Sequence, residues 1–126
     1  MNSKSLNAAV SDNSIEKEIQ DKGLTAPRVT PALIEALIEG EYYFTAGHGT
    51  WAAREVIFRD HVDTLNLLTF CVLVLRNGFT VTGESACVSP ENFNPETGRK
   101  IARQHAIDKI WMLEGYLLKQ RLHESV

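Results

Sequence analysis

The sequence has little that would mark an enzyme, a metalloprotein or a membrane protein. Its 126 residues include only two cysteines, Cys71 and Cys87. No CxxC or CxxH spacing exists, so neighbouring side chains build no zinc site. There is no GxGxxG and no Walker-type loop, so the two common phosphate-cradling motifs are absent. The longest apolar run, Phe70 to Leu75, is too short to span a bilayer. Residues 1–26 lack the apolar stretch of a secretory signal. The formal net charge is −3, which argues against a protein that coats a nucleic-acid polymer. These absences lead to the expectation of a protein in the cytoplasm with reduced thiols and no bound cofactor.

What is present suffices for one domain. Hydrophobic residues make up 44% and charged residues 23% of the chain, so a buried core is possible. Residues 1–26 are polar and are expected to form a flexible tail. A short helix over Ser14 to Lys22, stopped by Gly23, is the alternative. Residues 27–126 are then the folded, ligand-binding domain.

Local signals divide that domain. Thr30-Pro31 is a helix start, with Thr as cap and Pro at the first position. Leu33, Ile34, Leu37 and Ile38 follow at helical spacing, with Glu35 and Glu39 opposite. Gly40, or the cluster Tyr42-Tyr43-Phe44, is expected to end this helix. Gly47, His48 and Gly49 read as a turn. Trp51 to Phe58 fits a short helix or a strand, and Asp60 to Asp63 a loop.

Leu65 to Val88 reads as a β-hairpin around Asn77-Gly78, the pair favoured by a two-residue primed turn. With Arg76 facing Phe79, Val74 faces Val81 and Leu73 faces Thr82. Phe70, Val72, Val74, Phe79 and Val81 then share one face. The first strand is apolar on both faces, which predicts a central, buried position. Cys71 and Cys87 are not opposite in this register, so no cross-strand disulfide is expected.

Asn94-Pro95 is a second cap-then-proline start. Ala102, Ala106, Ile110, Leu113 and Leu117 then form one helical stripe, flanked by Ile107, Trp111, Leu118 and Leu122. Gly115 interrupts it, for close packing or a bend. Unbroken to Leu122, this helix would be roughly 40 Å long, against a radius of gyration of about 13 Å for such a domain. It must fold into a helical hairpin or project onto another subunit. The expected class is therefore α+β: a small antiparallel sheet with a long C-terminal helix or helical hairpin, in an oligomer.

Arg99, Lys100 and Arg103 lie near the start of that helix, where partial positive charge disfavours cations. Three cations there suit an anion, since free N–H groups and guanidiniums together bind phosphate. The competing reading is a solvated face balanced by Glu91 and Glu96. Phe79 and Phe93 can stack on a purine, and Asn92 can bond a base edge; core packing is the plainer role for both aromatics. Arg28 is a further anion contact or a surface residue.

Catalytic readings are weaker. Glu84-Ser85-Ala86-Cys87 has no histidine at a telling offset. Asp60-His61-Val62-Asp63 is one short loop without a second ligand cluster. His48, His105 and His123 show no paired spacing, and Glu114 fits a salt bridge or interface better than a general acid.

Several stretches carry a resemblance. They are Leu67 to Val88, Pro90 to Asn94, Gly98 to Arg103, Ile110-Trp111 and Leu113 to Leu118, with Arg28 to Pro31 and Tyr43 to Thr45. Over roughly Pro27 to Leu122 the chain resembles a widespread family of small tailed-phage proteins. It resembles, within or close to that family, the first-described type of Thoeris anti-defence protein. That likeness implies a molecular sponge acting in the host cytoplasm. Such a sponge binds the cyclic ADP-ribose isomer made by the Thoeris sensor, in some cases cyclic di- or trinucleotides, without cleaving them. It also implies sites at subunit contacts and assembly of dimers into a hexamer, a trimer of dimers. Carried onto this chain, the ligand residues are Arg28, Phe79, Asn92, Phe93, Arg99 and Arg103, with Arg54 a further candidate. Two other readings compete. A protein-binding inhibitor of a host enzyme would expose Tyr42 to Phe44 and Trp51, and a cyclic-nucleotide hydrolase would depend on Glu84, Asp60 or His61.

Overall fold

A computed structural model describes residues 2–24 and 26–125 of the protein, with side chains from residue 12 onward. The fold is α+β. A three-stranded antiparallel sheet is ordered β1-β2-β3, and the last helix of the chain packs against β2 and β3.

Helix α1 covers Asn2–Asp21 and packs against the last helix of the chain. The sequence leads one to expect a tail here, or a helix over Ser14 to Lys22 alone. The helix is longer because it has a surface to lie on, and tertiary packing stabilises a segment whose own propensity is modest. Gly23 follows its end with φ +68°, the left-handed stop that glycine adopts most readily.

Helix α2 covers Pro31–Leu37. The Thr30 hydroxyl accepts from the Leu33 N–H at 3.1 Å, a cap worth about 1 kcal/mol. The helix stops earlier than its apolar spacing suggests. Ile38 is already extended and opens strand β1, Ile38–Thr45. Tyr42, Tyr43, Phe44 and Thr45 favour a pleated surface, so the aromatic cluster forms a strand rather than a helix end.

Strands β2, Leu68–Leu75, and β3, Thr80–Ala86, form the expected hairpin pair, with β2 central. The register differs by one residue from the expected one. Leu73 faces Val81 and Val74 faces Thr80. The loop has three residues, Arg76, Asn77 and Gly78. Gly78 donates its N–H to Leu75 O at 2.8 Å, and Leu75 donates to Phe79 O at 2.8 Å. Gly78 has φ +87° and Asn77 is not left-handed. This suits the three-residue loop with a left-handed glycine, rather than the primed turn that needs both residues at positive φ. The shift moves side chains between faces. Val81 joins Cys71, Leu73 and Leu75 on the inner face, while Thr80, Thr82 and Glu84 join Phe70, Val72 and Val74 on the outer one.

Helix α5 covers Pro95–Glu124 as one unbroken helix, so the helical-hairpin alternative does not occur. Asn94 caps it, its side-chain oxygen accepting from Thr97 N–H at 3.0 Å. The helix crosses β3 closely at Gly83, where an added Cβ would lie 2.0 Å from Ala102 O. Ile34, Cys71, Leu73, Leu75, Val81, Ala102, Ala106, Ile107 and Ile110 make the core. Beyond Ile110 no α5 residue is buried, and Gly115 faces open space. Both cysteines are free thiols.

Residues 46–66 depart most from the sequence reading. The glycines around His48 lie inside helix α3, Ala46–Ala52, rather than in a turn. Trp51 and Ala52 end that helix, and residues 53–58 form neither helix nor strand. A 3₁₀ turn, Arg59–His61, leads into helix α4, Val62–Asn66, where a loop is expected.

Candidate ligand-binding concavity

The main concavity lies at the Thr45–Thr69 end of the sheet. There β1 runs into α3, α4 runs into β2, and Phe93 leads into α5. Its volume is about 790 Å³, within the range of small-molecule sites. Tyr43, Phe44, Trp51 and Phe93 supply aromatic walls; His48, Asn66, Thr69 and Arg99 supply polar groups, and Glu55 is the one carboxylate of the lining. Local caps set this end of the sheet. The Thr45 hydroxyl accepts from His48 N–H at 3.1 Å, which turns the chain from strand to helix beside the opening. Trp51 stands 80% exposed, a large apolar side chain with no cover.

The sequence-selected residues divide sharply. Phe93 and Arg99 line the concavity together. Arg99 has no hydrogen bond or ion pair among the described residues, so its guanidinium is available to an anion. Asn92 ends the short 3₁₀ turn Pro90–Asn92 just before Phe93, is exposed, and does not line the space. Phe79 directly follows the hairpin loop, at the opposite end of the sheet.

The other two arginines are already neutralised. Arg28 Nη1 donates to Glu16 Oε1, and its Nη2 donates to Oε2 at 2.7 Å. The pair ties α1 to the segment before α2. Arg103 donates from Nη2 to Glu35 Oε1 at 2.8 Å and from Nε to Glu41 Oε1 at 2.9 Å. Burial opposes the charge on Arg103, but the bonds to Glu35 and Glu41 outweigh it and raise its pKa. The Tyr43 hydroxyl donates to Glu41 Oε2 at 3.0 Å. Burial first, and that bond second, raise the phenol's pKa. Burial likewise pushes the Cys71 thiol up. Lys100 makes only an exposed pair with Glu96 at 3.4 Å, of little energetic weight.

Sequence reading missed the parts of the site that residues 46–66 provide. His48, Ile57 and Asn66 gave no signal, since a lone histidine between glycines also reads as a turn. Trp51 was visible, but as part of a protein-docking patch. Arg54 does not line the space. It closes α3 with φ 57°, a conformation uncommon outside glycine. Asp60, His61 and Glu84 do not line it either. Among the described residues no group of three or more His, Cys, Asp or Glu side chains could hold a metal ion.

The family model of the phage protein (N4 Gp49/phage Sf6 gene 66) family matches residues 29–122. The chain belongs to this phage protein family. The family region starts immediately after Arg28, so α1 and its ion pair lie outside it, while the sheet, the concavity and nearly all of α5 lie inside. No curated protein and no solved structure matches the chain. No helix among the described residues of this family member is long and apolar enough to cross a membrane.

Proposed function

We propose that this phage protein is an anti-defence sponge that binds a cyclic ADP-ribose isomer and holds it without cleaving it, blocking Thoeris-type signalling. Cyclic di- and trinucleotides are the related ligands of the same chemistry, and their capture would blunt CBASS-type signalling. The observation that carries the reading is the meeting of Arg99, which lacks a counter-ion, with Phe93 and Trp51 around one concavity. Aromatic faces take a planar base. A guanidinium presents a rigid donor fork to phosphate. His48, Asn66 and Thr69 offer further polar contacts to ribose or base. A sponge must bind below the working concentration of its signal. Nanomolar affinity needs about −12 kcal/mol, a demand that a stacked base and several charge-assisted bonds can meet once the ligand is largely desolvated.

The resemblance implies that sites lie at subunit contacts. A homo-oligomer would close the open side of the concavity and add groups from a second chain. Native mass spectrometry with a panel of cyclic nucleotides reads subunit count and bound mass together. The expected spectrum shows an oligomer carrying intact cyclic ADP-ribose isomer. Absence of any bound cyclic nucleotide, or a ligand mass increased by one water, contradicts the sponge.

A specific observation favours a second reading, inhibition of a host enzyme by protein contact. Tyr42, Phe44 and Trp51 are 61%, 40% and 80% exposed, and exposed aromatics suit a protein interface. A stoichiometric host partner whose binding ignores Arg99→Ala would support it over the sponge.

A further inference from the structure

The concavity is lined by two opposite charges that do not meet. Arg99 is its one guanidinium and Glu55 its one carboxylate. Neither side chain has a hydrogen bond or ion pair among the described residues, and they do not pair with each other. They come from separate elements. Arg99 lies in the first turns of α5, whereas Glu55 follows the end of α3. The lining is therefore bipolar, with one group that takes an anion and one that takes a hydrogen-bond donor.

The backbone sets Glu55 in place. Arg54 N–H donates to Trp51 O at 3.0 Å, and Glu55 N–H donates to Thr50 O at 3.0 Å. Two such bonds around a left-handed residue make a Schellman helix stop. That residue is Arg54, with φ 57°, where glycine is the usual choice. Backbone held in this region without glycine is costly, and such strain gathers at functional sites. Here the stop turns the chain so that Trp51 and Glu55 line the same space.

A carboxylate accepts from hydroxyls and amines and repels phosphate. A nucleotide with adjacent phosphates can give both to the Arg99 fork and turn its ribose hydroxyls to Glu55. A macrocycle with phosphates on opposite edges brings one of them towards Glu55. Screening at physiological ionic strength acts over about 8 Å, so a phosphate in this concavity feels that charge. No other arginine and no lysine lines the space to hold a second phosphate.

We propose that Glu55 is the specificity-determining residue of the concavity. It admits a nucleotide with adjacent phosphates and free ribose hydroxyls, and it excludes one whose phosphates stand on opposite edges. Rejection by a placed like charge is a general route to specificity. The proposal rests on the sponge reading and ranks the ligands within it.

Calorimetry on the full chain tests it, with a cyclic ADP-ribose isomer and cyclic di-AMP as the two probes. Wild type is expected to favour the first by about tenfold or more. Glu55→Gln keeps the shape, removes the charge, and should cut that preference about threefold. Glu55→Lys supplies a second cation and should cut it about tenfold or more, through tighter binding of cyclic di-AMP. Both variants are expected to melt as wild type does, since Glu55 is exposed. A preference that Glu55→Lys leaves unchanged overturns the proposal while the sponge reading stands. So does a wild type that prefers cyclic di-AMP. Binding of neither probe by wild type or variants overturns the sponge reading, and the proposal with it.

Discussion

Two arginines one helical turn apart on α5 serve different regions of the molecule. Arg103 belongs to the seam where α5, α2 and the sheet are tied together. Its guanidinium is held by Glu35 and Glu41, and Glu41 also accepts from Tyr43. Arg99 belongs to the concavity at the end of the sheet, which it lines with aromatic side chains and Glu55, and among the described residues no carboxylate pairs with it. The sequence presents them as equivalent cations near a helix start. The fold makes one a strut and leaves the other open to a ligand. Whether a cation is available is a tertiary property, set by carboxylates far away in the chain.

The contrast can be broken most forcefully at the seam. Gly83→Ala places a methyl group 2.0 Å from Ala102 O and 2.5 Å from Ala106 N. Backbone atoms cannot give way cheaply, so the loss of stability is expected to reach roughly 3 kcal/mol or more. Denaturant melts measure this, and a variant as stable as wild type would show that α5 does not approach β3 this closely. Arg103→Ala comes next. It leaves the exposed carboxylates of Glu35 and Glu41 without their shared partner, so a loss of about 1 kcal/mol is expected. Loss of ligand binding without loss of stability in this variant would move Arg103 to the site.

At the concavity the expectation reverses. Arg99→Ala and Trp51→Ala should change stability by less than about 0.5 kcal/mol, yet weaken ligand binding about tenfold or more. Calorimetry beside thermal melts separates the two effects. The smallest effect concerns α1. The hydrogen bond from Arg28, then the one from Gln20, hold the Glu16 carboxyl below its ordinary pKa, against an opposing desolvation. A depressed folded pKa means that the contribution is complete above the ordinary carboxylate value of about 4.3. It is lost as pH falls from there through the folded value. The protection of residues 12–21 from hydrogen exchange, taken relative to the intrinsic rate at each pH, should therefore fall in acid before that of α5 does, and Glu16→Gln should remove the pH dependence.

The same contrast explains which features are legible in the sequence. Both capped starts, Thr30-Pro31 and Asn94-Pro95, are local signals and appear as read. So does the central position of β2, whereas the unbroken run of α5 is one of two forms, long helix or helical hairpin, that the periodicity left open. The hairpin register turned on whether Asn77 joins Gly78 at positive φ, a choice that Asn-Gly does not decide. Strand β1 was hidden because Leu37 and Ile38 continue a helical spacing into a segment that pairs with β2. Partners 12 residues from Arg28, and 62 and 68 residues from Arg103, carry no sequence signal. Of the candidate site, Phe93 and Arg99 were legible from composition near the helix start, whereas the contribution of residues 46–66 was not.

Titration calorimetry of the purified protein with cyclic ADP-ribose isomers, followed by heat release and mass analysis of the ligand, tests the central claim most directly. The expected result is nanomolar binding to wild type, at least tenfold weaker binding to Arg99→Ala, and recovery of unaltered ligand. No heat with any cyclic nucleotide, equal binding by Arg99→Ala, or recovery of a linear product would contradict it.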